Sequence, residues 1–386
     1  MFVCASLMTE PRSIIHGWIS ELSRSEALGV ILLDLRAVTL GVPFPVAQRI
    51  NQARSTRFLT AMSHADLADK VLVTGAAGFI GSHLCRRLLS EGAQVLALDN
   101  LSTGTKANIA DIMDHERFKF TLGDVREQKQ VENLLDGCKA VFHLAANPEV
   151  RAALSDWEID FEQNLRSTHI LLEALRARSW RGTLIFTSTS TVYGDATQLP
   201  TPEDYGPLVP ISMYGATKLG CEALIAANSH LLGLRTYIFR FANVVGPGSR
   251  HGVIHDFVTK LGQNSTRLEI LGDGTQTKSY VYIDDCIDAF IHATKQGDEN
   301  PGIYNVGTDN QTDVKTIANI VIQEMGLGDV EIGFKPGPEG RGWPGDVKAM
   351  LLDISKLRRL GWSPDYSSTD AVRKAAEQLV KEAERK

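Results

Sequence analysis

Apolar residues come along this chain in two rhythms, and between residues 70 and 194 the two alternate. Short apolar runs, each about the length of a buried strand, occur at Val71-Leu72-Val73-Thr74, Gln94-Val95-Leu96-Ala97-Leu98-Asp99, Phe118 to Val125, Ala140 to Asn147 and Thr183 to Thr189. Between them the apolar positions take helical spacing, at Leu84, Leu88 and Leu89 and again at Ile170, Leu171, Leu172 and Leu175. Strands alternating with helices of this length predict an α/β fold with a parallel sheet wound on both faces. Ligands of such sheets collect at the carboxyl ends of the strands, where Gly75, Asp99, Asp124, Ala145 and Thr189 all fall.

Past a further strand at Thr236-Tyr237-Ile238-Phe239-Arg240-Phe241 the pattern loosens, and Gly/Pro-rich loops join shorter elements. The expected organisation is a nucleotide-binding domain over residues 69–242, with a later return near 278–296, and a mainly substrate-binding domain over 243–386. The substrate crevice would lie between them. Residues 1–68 read as separate from this fold: Gly41-Val42-Pro43-Phe44-Pro45 breaks any helix, residues 46–65 carry Arg49, Arg54 and Arg57 with no acid, and the basic start and longer apolar core of a cleavable signal are not found. An extension ahead of an internal start at Met62, or a loosely ordered tail, is expected there; a targeting or partner-binding segment is the rival.

The first strand meets three glycines at three-residue spacing, Gly75, Gly78 and Gly81, before the chain turns helical. A pyrophosphate needs glycine there, because it approaches the backbone where a Cβ would stand, and the helix's unpaired N–H groups and positive dipole end then face the anion. The second strand ends at Asp99, 18 residues past Gly81, where a carboxylate accepts both hydroxyls of an adenosine ribose. Asp99 would repel a 2′-phosphate, and Asn100-Leu101-Ser102-Thr103-Gly104 offers no arginine to receive one, so NAD is expected rather than NADP. The cofactor contacts expected from this stretch are Gly75, Gly78, Phe79, Ile80, Gly81, Asp99, Asn100, Thr103 and Gly104.

Composition narrows the picture from outside. With 386 residues the chain is long enough for such a domain and a smaller partner, and a net charge of -6 gives no electrostatic reason to expect nucleic acid. No apolar run approaches bilayer length, so no membrane association is expected. Cys4, Cys85, Cys138, Cys221 and Cys286 show no pair at metal-ligand spacing and their number is odd, which predicts reduced thiols, no metal site and a cytoplasmic location.

The chemistry is expected at Tyr214-Gly215-Ala216-Thr217-Lys218, where a phenol and an ammonium one helical turn apart share a face. A free phenol, with a pKa of about 10, is a poor base at neutral pH, and a neighbouring cation would favour phenolate. The hydroxyl run Thr187-Ser188-Thr189-Ser190-Thr191 ends a strand of the same domain and can bond the reacting oxygen. The expected task is to take a proton from an alcohol as its hydride leaves for NAD.

These stretches together, Thr74-Gly75-Ala76-Ala77-Gly78-Phe79-Ile80-Gly81, Asp99-Asn100, Gly123-Asp124-Val125, His143-Leu144-Ala145-Ala146, Asn164, the hydroxyl run with Val192-Tyr193-Gly194, and Tyr214 with Lys218, resemble the extended short-chain dehydrogenase/reductase superfamily and its NAD-dependent nucleotide-sugar epimerase/dehydratase branch. The resemblance runs from about residue 69 to the end and implies a Rossmann-type domain. It implies that Asp124 and Val125 contact adenine, that Leu144, Ala145, Ala146 and Asn164 belong to the cofactor site, and that Tyr214 and Lys218 touch the nicotinamide ribose. Dehydratases of the branch carry two acids where this chain has Ser190 and Thr191, and decarboxylases usually keep a glutamate in the second slot. What remains resembles the UDP-glucose 4-epimerase family, in which a residue at the position of Thr189 pairs with the tyrosine and C4 is oxidised to a transient ketone and reduced from the opposite face.

The same resemblance implies a nucleotide-sugar substrate held by Thr189, Asn243, Lys278 and Arg341, and a homodimer built from helices of the nucleotide domain. Lys278 stands where many epimerases have arginine and lacks its two-pronged phosphate grip. His143 reads as a strand-end residue, and His251 and His255 as surface positions. Two alternatives stay open on the sequence alone: a dehydrogenase or reductase that releases NADH, and a non-catalytic dinucleotide sensor, against which the retention of Tyr214, Lys218 and Thr189 argues.

Overall fold

The structure, a computed structural model, describes residues 67–384; the expectation for the N-terminal extension lies outside the described residues, apart from its last two positions. β1 (Lys70–Thr74) leads into α1 (Phe79–Ser90), followed by β2 (Gln94–Asp99), β3 (Phe118–Leu122), α2 (Gln128–Leu134), β4 (Ala140–His143), α3 (Ser167–Ala177), β5 (Thr183–Thr189), α4 (Met213–Leu232) and β6 (Arg235–Phe241). Beyond these come β7 (Asn243–Val245), α5 (Val253–Gln263), β8 (Arg267–Leu271), β9 (Thr277–Lys278), β10 (Tyr280–Tyr282), α6 (Ile283–Gln296), β11 (Gly302–Val306), β12 (Thr312–Asp313), α7 (Val314–Glu324), β13 (Glu331–Lys335), β14 (Ala349–Met350), α8 (Ser355–Arg359) and α9 (Ser368–Glu384).

Seven strands pair in the order β11-β6-β5-β4-β1-β2-β3, all parallel. Alternate side chains of each strand enter different cores. Val71, Val73, Val95, Ala97, Ile185 and Phe239 pack on one face with Leu84 and Leu88 of α1 and Phe290 of α6. Leu72, Leu96, Leu98, Leu184, Phe186 and Ile238 pack on the other with Leu171 and Leu172 of α3 and Ile225 of α4. A run apolar on both faces is what a sheet covered by helices on both sides requires, and it explains why these strands carry no polar alternation. The fold is the Rossmann type expected from the sequence, with a smaller set of C-terminal elements beside the sheet.

Two strand ends differ from the sequence reading, and so does the return to the sheet. β3 and β4 stop at Leu122 and His143, short of Val125 and Asn147, because the chain leaves the sheet there to form the wall of the cleft described below. The seventh strand, β11, lies beyond the return expected near 278–296: that stretch holds β10 and α6, which carry the chain back to the sheet edge.

The order reverses between β1 and β4, with Thr74 opposite His143. Strand ends splay at such a crossover, and a crevice opens there. Outside the main sheet, short pairs of β7 with β10, β9 with β12 and β14, and β8 with β13 form the opposite rim. Among the described residues no helix is long and apolar enough to cross a membrane.

Candidate functional site

The turn after β1 is shaped by the space its glycines leave. Gly75 takes φ +70, and a Cβ on it would stand 2.7 Å from the Ala145 amide nitrogen; a Cβ on Gly81 would stand 2.1 Å from the Gly75 carbonyl oxygen. α1 therefore starts hard against the end of β1. Its N-cap, Gly78, brings no capping side chain, so the first N–H groups of the helix remain available to an anion. Asp99 ends β2 beside this turn, accepting hydrogen bonds from the Ala77 and Leu101 amides at 2.8 and 2.7 Å. Both oxygens are thus oriented by backbone, and each keeps lone-pair capacity for a sugar hydroxyl.

These residues open into a cleft of about 510 Å³ that runs from the end of β3, past the β1–β4 crossover, to the C-terminal rim. Its wall includes Gly75, Gly78, Phe79, Ile80, Gly81, Asp99, Asn100, Thr103, Asp124, Val125, Leu144, Ala145 and Ala146 from the expected cofactor set. Asn100 donates to Asp124 at 2.9 Å, and Arg126 holds the Asp124 carboxyl down to about 2, with the Arg126 amide and Asn100 adding to the effect. Gly104 is not on the wall: it backs onto the turn, where a Cβ would stand 2.7 Å from the Ala77 carbonyl oxygen. Asn164 is also off the wall. Its amide is spent inside, accepting from the Asn147 N–H at 2.9 Å and donating to Asp160 and Thr217, in a turn of π-helix at Phe161–Arg166. It shapes the loop after β4 from behind.

The residues expected to carry the chemistry meet where α4 packs against the end of β5. Ser212 caps α4 by accepting from the Gly215 amide at 3.1 Å, which fixes Tyr214 in the first turn and half-buried on the cleft wall. Thr189 ends β5 on the same wall; its hydroxyl accepts from the Thr191 amide at 3.1 Å and lies 3.1 Å from the Thr191 hydroxyl. Lys218 stands behind the tyrosine, off the wall, with Nζ donating to the Thr187 carbonyl at 2.9 Å. Burial lowers Lys218 to about 8, against the pull of Cys221, Glu222 and Asp160.

The expected activation of the phenol is not in force in this arrangement. Burial first, and then the proximity of Asp160 and Cys221, push Tyr214 well above the ordinary phenol value. The Lys218 ammonium lies 6.0 Å from the phenol ring centroid and is committed to Thr187, so it does not offset desolvation. His143 is fixed between Thr74 and Thr168, at 2.8 and 3.0 Å, and burial lowers it to about 3, which leaves it a neutral hydrogen-bonding strand-end residue.

On the opposite rim the structure separates the expected substrate residues. Asn243 and Lys278 line the cleft; Lys278 Nζ donates to the buried Asp346 at 2.7 Å and lies 5.5 Å from the Trp343 ring centroid. Arg341 does not line it. Its guanidinium is taken by Asp195 at 2.7 and 3.1 Å, by the Asp346 carbonyl at 2.6 Å and by Glu339, so the Arg341 assignment is corrected to a loop anchor. Trp343, two residues on, faces the cleft, as do Gly345 and Asp346 after it, and Arg151 stands 5.6 Å from the Trp343 ring centroid.

Sequence reading missed Trp343, Arg151, Glu149, Arg250 and the tract from His251 to Phe257, in which His251 is on the wall and not merely surface. Only Gly246-Pro247-Gly248 hinted that the chain turns back there, since none of these positions has a local spacing signature.

A doubly wound sheet with a dinucleotide turn at its crossover, and a Tyr-x-x-x-Lys helix facing a strand-end hydroxyl, defines a nucleotide-dependent enzyme of the extended short-chain dehydrogenase/reductase type. The chain belongs to the NAD-dependent epimerase/dehydratase family, whose family model matches residues 71–307. It is 34% identical over 316 residues to a UDP-glucose 4-epimerase of Mycolicibacterium smegmatis, covering 80% of this chain and 97% of that one. Among solved structures it is similar to a UDP-galactose 4-epimerase, with 40% identity, a TM-score of 0.72 and coverage of 81% and 99%. It is also similar to a UDP-glucuronic acid 4-epimerase from Bacillus cereus in complex with UDP-glucuronic acid and NAD, with 31% identity, a TM-score of 0.73 and the same coverage. The enzyme is NAD-dependent, and the Cβ-free turn with its uncapped helix start fits that cofactor.

Proposed function

We propose that the enzyme interconverts UDP-glucose and UDP-galactose by epimerisation at C4. The observation that carries this reading is the engagement of the wall's acids. Ser190 and Thr191 present hydroxyls, and each of the five wall carboxylates already has partners: Asp99 on backbone amides, Asp124 on Arg126, Glu149 on Arg151, Asp256 on Lys260 and Asp346 on Lys278. An elimination needs a free acid and base at the sugar, whereas an oxidation and its reversal need one proton shuttle and a hydroxyl. When bound, NAD supplies a hydride acceptor and, in its oxidised form, a positive ring that favours phenolate. Tyr214 then takes the proton of the sugar hydroxyl, Thr189 holds that oxygen, and Lys218 supports the phenolate from behind. After the sugar has turned over, Tyr214 gives the proton back to that oxygen as the hydride returns to the opposite face of C4, which completes the reaction.

Protein supplied with UDP-glucose alone is expected to form UDP-galactose, read by chromatography; no conversion, with steady NADH release on another alcohol, would favour a dehydrogenase. A second sugar is favoured by Arg250, an exposed cation on the wall: the hexuronate carboxylate of UDP-glucuronic acid would suit it, and the same assay with that nucleotide decides between them. Thr189→Val is expected to lower kcat by about 10- to 100-fold, with Thr189→Ser recovering most of it, as for loss of one positioned hydrogen bond to the reacting oxygen.

The pH dependence follows from Lys218, whose folded value near 8 lies below its ordinary one. The ammonium is lost as pH rises through about 8, so kcat/KM is expected to fall above that value. Stability responds in the opposite sense: between about 8 and about 10.4 the unfolded chain binds the extra proton, and the Lys218 contribution to stability rises with pH. We infer a homodimer from the exposed Leu154, Trp157 and Phe161 beside the π turn, and light scattering of the purified protein tests it.

A further inference from the structure

Helix α4 carries a further ionisable side chain, buried like Lys218, on the face that holds Tyr214 and Lys218. Glu222 follows Lys218 by one helical turn, as Lys218 follows Tyr214. Two of the three bond directly to β5: Lys218 donates to the Thr187 carbonyl at 2.9 Å, and Glu222 accepts the hydroxyl of the next residue, Ser188. The strand residue after that is Thr189.

Arg240, paired across the sheet with Ser188, grips the Glu222 carboxylate through Nε at 3.1 and 3.2 Å and Nη2 at 2.7 Å. Its remaining nitrogen reaches the Tyr193 hydroxyl at 2.9 Å and the Glu203 carbonyl at 3.0 Å, and Tyr193 donates onward to Asn305 at 2.7 Å. Both members of the pair are almost wholly buried.

A buried ion pair is weak evidence for stability, since well-packed apolar residues often serve as well. Its position relative to the ammonium gives it another consequence. In the interior a charge one turn away acts strongly, and Glu222 is among the groups that oppose the desolvation of Lys218. With Arg240 on both oxygens, the carboxylate cannot swing across and tie up Lys218 Nζ. The titratable groups around that ammonium are Tyr214, Cys221 and Glu222 on its own helix, His143 at the end of β4, and Asp160 ahead of the π turn.

We propose that Glu222, clamped by Arg240, is a positioning residue of the reaction centre: through Ser188 it tethers the end of β5, and it supplies the fixed negative charge that keeps Lys218 an ammonium behind Tyr214. This rests on Tyr214 and Lys218 being the working pair of the proposed reaction.

The test is a ¹³C NMR titration of holoenzyme labelled at the lysine ε-carbons, with the Lys218 signal assigned by its loss in Lys218→Met. Glu222→Gln keeps the shape and an acceptor for Ser188 but removes the charge. It should move the Lys218 midpoint down by about one pH unit, a tenfold change in the proton equilibrium, and carry the alkaline limb of kcat/KM with it. Ser188→Ala, which cuts the tether and leaves the charge, should lower kcat severalfold with the midpoint in place. A folded Glu222→Gln protein with an unmoved midpoint overturns the proposal. Should that variant fail to fold with Arg240 unpaired, Glu222→Gln/Arg240→Met removes both charges; a downward shift there supports the proposal and an unmoved midpoint overturns it. The midpoint is read without turnover, so a wild-type protein inactive on nucleotide sugars would count against the proposed function alone.

Discussion

Tyr214→Phe is expected to lower turnover of the nucleotide sugar by about a thousandfold while leaving NAD and substrate bound, the loss usual when a positioned acid–base group is removed. The phenol reaches the cleft from the first turn of α4, where a phenylalanine ring would occupy the same place. Packing and stability should therefore change little, since only the hydroxyl is lost. Steady-state kinetics beside a binding titration separate the two effects: near-normal kcat would exclude Tyr214 as the proton shuttle, whereas lost binding would assign it to the cofactor site alone.

Gly81→Ala should have the second large effect, on the cofactor rather than on chemistry. Its new Cβ would lie 2.1 Å from the Gly75 carbonyl oxygen and 2.9 Å from the Ala76 Cα, both backbone atoms with no rotamer to yield. Either the start of α1 moves away from β1 or the turn opens; overpacking of this kind costs about 1–3 kcal/mol, occasionally more. Because the helix N-terminus must sit against the pyrophosphate, NAD affinity is expected to fall by at least about tenfold, as 1.4 kcal/mol corresponds to a factor of ten. Calorimetric titration with NAD and a thermal melt measure both terms. An unchanged affinity would show that the anion is held elsewhere.

What was legible in the sequence follows the reach of local patterns. The strands from Val71 to Thr189 were readable because residues buried on both faces leave unbroken apolar runs, and the Gly75, Gly78 and Gly81 spacing writes one turn's steric demand into nearby positions. Tyr214 and Thr189 were readable for the same reason, one fixed by helix period and the other by a strand end. Arg341 shows where this fails. A charged residue in a Gly/Pro-rich loop carries no sign of direction, and only the fold reveals that Asp195, 146 positions earlier, captures it while Trp343 turns inward. Glu222 and Arg240 escaped notice on similar grounds, being 18 positions apart and joined only by the packing of α4 on the sheet. The upward displacement of the Tyr214 phenol was hidden too, because desolvation belongs to the assembled interior.

The hydride removed from a sugar carbon is expected to return to that same carbon inside a single cleft. UDP-glucose deuterated at C4, incubated with wild-type protein and no added NAD, tests it directly. The expected product is UDP-galactose that keeps deuterium at C4, with no NADH in solution. Deuterium recovered in free NADH, or a product whose C4 carries hydrogen instead, would contradict it.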